Sequence, residues 1–291
     1  TFAAVSVDPV ARVKFAESIV EMINEYDLDG VDIDWEYPND YDEMKAFVLM
    51  MKEIYTRVKA NNPKHIVTCA ILLGAIDRFT LRESGQYMDY INMMSYEMHS
   101  HVKTTHHVAL YPSSKGGTIF AVSTSVSSIM NNKIPASKII VGAGFFGRQY
   151  LNSKGIGTTA DYQESAPSYA TIRREYLDKQ TNTLKRYWDD ECKVPYIYDS
   201  ETGLFITYDD PQSIGCKVDY VVSKKLGGLM CWQTGQDNVR QRQSSPPVRS
   251  LPRGHARGFE GLDFRRREHH HQRFRHSHGC MGPGLPLRHQ R

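Results

Sequence analysis

Asp29-Gly30-Val31-Asp32-Ile33-Asp34-Trp35-Glu36-Tyr37-Pro38 places four acids within eight residues of a 291-residue chain. Read as a strand from Gly30 to Tyr37, with alternate side chains sharing a face, it puts Asp32, Asp34 and Glu36 on one wall and Val31, Ile33 and Trp35 on the other. Neighbours on one face lie about 6.8 Å apart, so ionising all three in a partly desolvated cleft is costly. At least one carboxyl is expected to hold its proton near neutral pH. A protonated carboxyl beside ionised partners is what a general acid requires, and Glu36 stands at the strand's C-terminal end, where α/β folds place their sites. Three other readings stay open: a solvated strand face, a calcium loop, and an Asp-x-Asp metal site of a nucleotide-sugar transferase. The loop fits poorly, because apolar residues fill its gaps and the turn glycine is missing. The transferase leaves Glu36 unexplained.

Outward from this strand the pattern alternates. Asp8-Pro9 is a helix start, followed by Val13, Ile19, Val20, Met22 and Ile23 at helical spacing and an end near Tyr26. Tyr41 to Ala60 reads as a second amphipathic helix and Phe120 to Asn131 as a third. Apolar runs at 65–73, 88–96, 138–145 and 226–233 alternate little, as parallel strands covered by helices do. Strands interleaved with helices predict an α/β fold. Residues 149–217 break the alternation: they are rich in Tyr, Asp, Ser and Thr, with one helical piece expected near Ser168 to Trp188, and read as a small α+β insertion.

Composition removes other classes. Hydrophobic residues make up 40% and charged residues 24%, values of a globular chain rather than a fibrous or disordered one. No apolar run reaches the roughly 20 residues of a membrane span. The net charge of +3 hides a division: residues 241–291 hold eleven Arg, no Lys and three acids, which leaves residues 1–240 at −5. A nucleic-acid role for the main body therefore lacks its basic surface. Residues 241–291 are rich in Arg, His and Pro, lose all periodicity and read as a disordered tail. No signal peptide is legible before Thr1.

The run DGVDIDWEYP is similar to the DxxDxDxE signature of glycoside hydrolase family 18, the chitinase family, with Asp29, Asp32, Asp34 and Glu36 on its acidic positions. Met94-Ser95-Tyr96-Glu97 resembles the family's MxYD, Gly142 to Arg148 its segment ending in YGR, and Gly227 to Asp237 its last strand with a floor tryptophan. The insertion, with YDSETGLFITYDDPQSI at 198–214, resembles the chitinase insertion domain. The resemblance implies a (β/α)8 TIM-barrel type that is incomplete here, with strands four to eight visible in residues 1–148 and 218–240 and the insertion domain at 149–217.

It also implies hydrolysis of β-1,4-linked N-acetylglucosamine in chitin by a retaining, substrate-assisted route without cofactor or metal. Carried onto this chain, Glu36 protonates the leaving oxygen, Asp34 orients the acetamido group, Asp32 tunes Asp34, and Tyr96 bonds the acetamido oxygen. Trp232 floors the sugar, with Met94, Glu97, Tyr37, Arg148 and Asp29 completing the site. The resemblance further implies a secreted monomer whose partner is the polysaccharide. A chitinase-like sugar-binding protein or an inactive fragment is the alternative. The chain departs from the pattern at Glu97, where the family has Asp, and at Phe146, where it has Tyr; the first three strands have no counterpart.

Weaker signals remain. Gly142-Ala143-Gly144-Phe145-Phe146-Gly147 fits the dinucleotide fingerprint G-x-G-x-x-G, but no helix pattern comes after it. His99, His101, His106 and His107 cluster in one loop at no standard metal spacing. His269, His270 and His271, with His276 and His278, are candidates for adventitious chelation. Cys192 and Cys216 flank the insertion and are a candidate disulfide in a secreted protein.

Overall fold

A computed structural model describes residues 1–115, 120–179, 181 and 183–237. The expectations for residues 241–291, the tail histidines included, lie outside them. The described chain runs α1 (Phe2–Val7), α2 (Pro9–Glu25), β1 (Gly30–Ile33), α3 (Tyr41–Asn61), β2 (Ile66–Leu72), α4 (Leu81–Ser84), β3 (Tyr90–Met94), α5 (Val122–Asn131) and β4 (Ile139–Gly144). It continues through β5 (Gly147–Leu151), β6 (Asp161–Gln163), α6 (Tyr169–Ile172), β7 (Leu184–Asp189), β8 (Val194–Asp199), β9 (Phe205–Tyr208), α7 (Pro211–Ser223) and β10 (Gly228–Trp232).

Three helices begin on aspartates that satisfy their free N–H groups. The Asp8 carboxylate accepts from Val10 N at 2.8 Å and Ala11 N at 3.3 Å. Asp40 does the same for α3, with Asp42 N at 3.0 Å and Glu43 N at 2.9 Å, and Asp210 for α7, where Pro211 opens the helix.

Two five-stranded sheets result. The first is parallel, in the order β1-β2-β3-β4-β10. Its two faces are chemically opposite, as the period of two requires. Ile33, Val67, Cys69, Ile71, Ile91, Met93, Ile139, Val141 and Ala143 are buried, and α3 contributes Phe47, Met50, Met51, Ile54 and Val58 to the same core. The opposite face carries Asp32, Thr68, Ala70, Asn92, Met94 and Met230. This is the α/β arrangement the alternation predicts.

The second sheet is antiparallel, in the order β6-β5-β9-β8-β7, and spans residues 147–208. Two expectations fail here. The helix near Ser168 to Trp188 stops after α6 and one wide turn, Arg173–Leu177, and Leu184–Asp189 instead pairs with Val194–Asp199 as a hairpin. The Cys192–Cys216 disulfide is not formed, because Cys192 is a buried free thiol. Among the described residues no helix is long and apolar enough to cross a membrane.

Candidate active site

The acidic run leaves the sheet earlier than its sequence suggests. The ladder between β1 and β2 ends at Ile33 opposite Cys69, and Asp34 to Tyr37 continue outside the strand. The alternation nonetheless persists: Ile33 and Trp35 are buried, while Asp32, Asp34 and Glu36 are exposed. Trp35 anchors that hydrophobic side, stacking on Phe2 at 5.7 Å and meeting Phe47 edge-on at 6.2 Å. Gly30 is required where β1 begins, since its φ is +157° and a Cβ there would lie 1.9 Å from the Ile66 carbonyl oxygen.

Above the carboxylates opens a cleft lined by Asp32, Asp34, Glu36, Tyr37, Met94, Tyr96, Glu97 and Trp232, together with Ala70, Leu72, Asn92 and Met230. Two other candidates lie elsewhere. Arg148 stands behind the wall as the ion-pair partner of Glu97. Asp29 borders a second depression with Gly30, Val31, Ile66, Thr68 and Asp32, the last of which it shares with the cleft, toward the opposite end of β1 from Glu36.

Asn92, Ala70 and Leu72 are cleft residues outside the motifs, and Met230 is one inside the Gly227 to Asp237 segment that the motif does not single out. Each precedes or follows a cleft residue on its own strand by two, or faces one across the ladder, as Ala70 faces Asn92 and Leu72 faces Met94. The period of two would have found Asn92 from Met94 and Met230 from Trp232.

Hydrogen bonds hold the cleft from below. The Asp32 carboxylate accepts from the Thr68 hydroxyl on β2 and from Asn92 Nδ2 on β3 at 2.9 Å. Tyr96 is positioned by the residue before it: Ser95 Oγ donates to the Gly142 carbonyl at 2.7 Å and accepts from Gly142 N at 2.8 Å, tying the end of β3 to β4. The glycines of the apparent dinucleotide fingerprint serve this contact. A Cβ at Gly142 would come within 3.0 Å of the Tyr96 ring and 2.6 Å of the Met93 carbonyl, and one at Gly144 within 3.3 Å of Tyr96 Cβ. The chain then enters β5 rather than a helix, so the phosphate cradle is absent.

The electrostatics separate the carboxylates. Burial, then the charge of Asp32, raises the Asp34 pKa. Glu36 is raised by burial first, then by Asp34 and Glu97, against a lowering contribution from the Tyr37 hydroxyl, which donates to Glu36 Oε2 at 3.3 Å. Tyr37 is pushed up to about 12 by burial and by Glu36. The Tyr96 hydroxyl is raised further, by burial and then by Asp34, and remains a neutral donor at all ordinary pH values. These shifts favour the protonated forms of Asp34 and Glu36 relative to free carboxyls, in a cleft that also holds a neutral phenol and apolar side chains.

Of the loop histidines, His106 bonds Asp189 at 3.2 Å and His107 is fully buried. His99 stacks on Tyr162 at 4.7 Å, and burial followed by Arg148 pushes it down to about 4. Phe146 is buried, with its ring 5.8 Å from Tyr96 and 5.2 Å from His107.

The model of the Glycosyl hydrolases family 18 matches residues 1–237. Chitinase B of Serratia marcescens is 29% identical over 296 residues, covering 79% of this chain and 59% of that protein. Chitinase 1 of Aphanocladium album is 30% identical over 246 residues, covering 80% of this chain and 57% of that protein. The chain thus spans less than two-thirds of the length of these relatives. A solved family 18 N-acetylglucosaminidase from Paenibacillus barengoltzii superposes with a TM-score of 0.74 at 30% identity, covering 81% of this chain and 75% of that one. With four ordered motifs meeting in and around one cleft and a family match over most of its length, the chain belongs to the Glycosyl hydrolases family 18.

Proposed function

We propose that this chain carries the active-site residues of a glycosidase that hydrolyses β-1,4-linked N-acetylglucosamine in chitin or its oligosaccharides. The observation that carries the reading is the persistence of the carboxylate wall beyond β1. Asp32, Asp34 and Glu36 face one cleft with Tyr96 and Trp232, and the pKa values of Asp34 and Glu36 are raised.

In the proposed reaction the Glu36 carboxyl gives its proton to the glycosidic oxygen as the C1–O bond breaks. The substrate's acetamido oxygen forms the new bond to C1, with Asp34 accepting from the acetamido N–H and Tyr96 donating to the oxygen. Water then opens the cyclic intermediate, losing its proton to the Glu36 carboxylate, so that configuration is retained. No second carboxylate nucleophile is needed, which suits acids that all come from one short run of chain at the end of β1. Trp232, 50% exposed, offers its ring to the sugar face.

Among the described residues the parallel sheet has five strands with β1 and β10 at its edges, too few to close a barrel. We read it as part of a TIM barrel whose remaining strands complete the cleft, with the antiparallel sheet as its insertion domain. The protein acts as a secreted monomer on this reading. The alternative role is sugar binding without turnover, which needs the cleft and the Trp232 ring but no proton from Glu36.

The test is hydrolysis of a chitin oligosaccharide by residues 1–291 and by the Glu36→Gln variant. Turnover in the parent and its loss in the variant are expected. Equal turnover by both proteins rules out Glu36 as the acid, and trisaccharide binding without turnover selects the second role.

A further inference from the structure

Glu97 sits in the left-handed region, with φ at +61°, a conformation that non-glycine residues keep only when their surroundings hold them. His107 supplies two backbone restraints at this bend. The Glu97 backbone N–H donates to His107 Nδ1 at 3.3 Å, and the next N–H, of Met98, donates to the His107 carbonyl at 3.1 Å. His107 is itself fixed: it is fully buried, its own N–H donates to Thr207 Oγ1 at 3.3 Å, and its ring packs on Phe146. From this bend the Glu97 side chain lines the cleft and pairs with Arg148, while Tyr96 enters from the preceding residue.

We propose that His107 is a positioning residue of this site, a neutral imidazole whose Nδ1 acceptor clamps the Glu97–Met98 bend and so aims the Glu97 carboxylate at Arg148 and the cleft. The geometry fixes the tautomer. With Nδ1 accepting, the neutral ring carries its proton on Nε2, which meets no hydrogen-bond acceptor among the described residues. Burial, with the nearby charges of Arg148 and Lys217, holds the imidazole well below its usual pKa and keeps that acceptor free. His107 touches no cleft volume itself; its effect on sugar runs through Glu97, and to that extent the proposal rests on the glycosidase reading.

The test compares His107→Leu, which fills similar space without an acceptor, with His107→Asn, whose Oδ1 falls near the place of Nδ1. Exchange of the Glu97 amide hydrogen, followed by NMR, is expected to quicken about ten-fold in the Leu variant and to return to within about two-fold of the parent in the Asn variant. Affinity for N,N′,N″-triacetylchitotriose should follow the same order. Nitrogen NMR of the parent should find Nδ1 unprotonated at neutral pH. An unchanged Glu97 exchange rate in the Leu variant, equal impairment in the Asn variant, or a protonated Nδ1 overturns the proposal. If the Leu variant does not fold, the Asn variant and the parent's Nδ1 signal decide. If the parent binds no trisaccharide, the glycosidase reading fails, whereas the exchange rates still decide the clamp.

Discussion

Asn92 donates its side-chain amide to the Asp32 carboxylate at 2.9 Å, reaching from β3 across β2 to β1. The same carboxylate takes the Thr68 hydroxyl, so three neighbouring strands converge on one charge beneath Asp34. Removing the amide with Asn92→Leu leaves the Thr68 hydroxyl in place. A hydrogen bond to a charged group contributes about 1.5–3 kcal/mol when buried, and the exposure of Asp32 reduces that. A fall of about ten-fold in trisaccharide affinity, measured by calorimetry, is the expected outcome.

Glu36→Gln keeps the shape of the side chain and removes its proton. Turnover of a chitin oligosaccharide should fall by about 10²–10⁴, while trisaccharide affinity changes little. Calorimetry beside a rate assay separates the two effects.

The raised pKa values of Asp34 and Glu36 have a consequence for stability. A carboxyl that binds its proton more tightly folded than unfolded favours the fold fully below its unfolded pKa. That contribution disappears as pH rises through the folded value. At pH 7 both groups therefore oppose folding, and the Asp34→Asn, Glu36→Gln double variant should melt above the parent. The gain should stay under about 1 kcal/mol, since solvent screens both groups, and it should vanish near pH 3. Melting curves across this range check the sign.

Lys217 and Asp209 form an ion pair with neither side chain exposed, and Ser213 Oγ donates to the same carboxylate at 2.7 Å. Lys217→Met strands a buried carboxylate and should cost about 3–5 kcal/mol in urea unfolding. Replacing Asp209 by Asn in the same chain should recover much of that loss.

Chelation discriminates the remaining rival for Asp32 and Asp34. A glycosidase of the proposed kind keeps its rate in EDTA. A transferase holding a divalent cation between these carboxylates loses it.

The acidic run was legible because alternation survives the end of a strand. Asp34 and Glu36 keep their side although the ladder stops at Ile33, since Trp35 between them is held by Phe2 and Phe47. The strand's end was not legible, because pairing depends on where Cys69 lies on a distant segment. Leu184–Asp189 was misread for the same reason: Lys185 and Tyr187 suit a helix or a strand, and the hairpin partners Tyr196 and Tyr198 decide. The role of Gly142 and Gly144 required knowing that Tyr96 lies over them, which no local spacing encodes.

The burial contrast among the tryptophans gives this molecule a built-in optical gauge. Trp35 is 6% exposed under the acidic run and Trp188 is half-buried outside the cleft lining, whereas Trp232, 50% exposed, lines the cleft. Iodide should quench the emission of Trp232 far more than that of Trp35. A ligand seated on the cleft floor should shield the first and leave the second untouched, so fluorescence alone can register occupancy without any label.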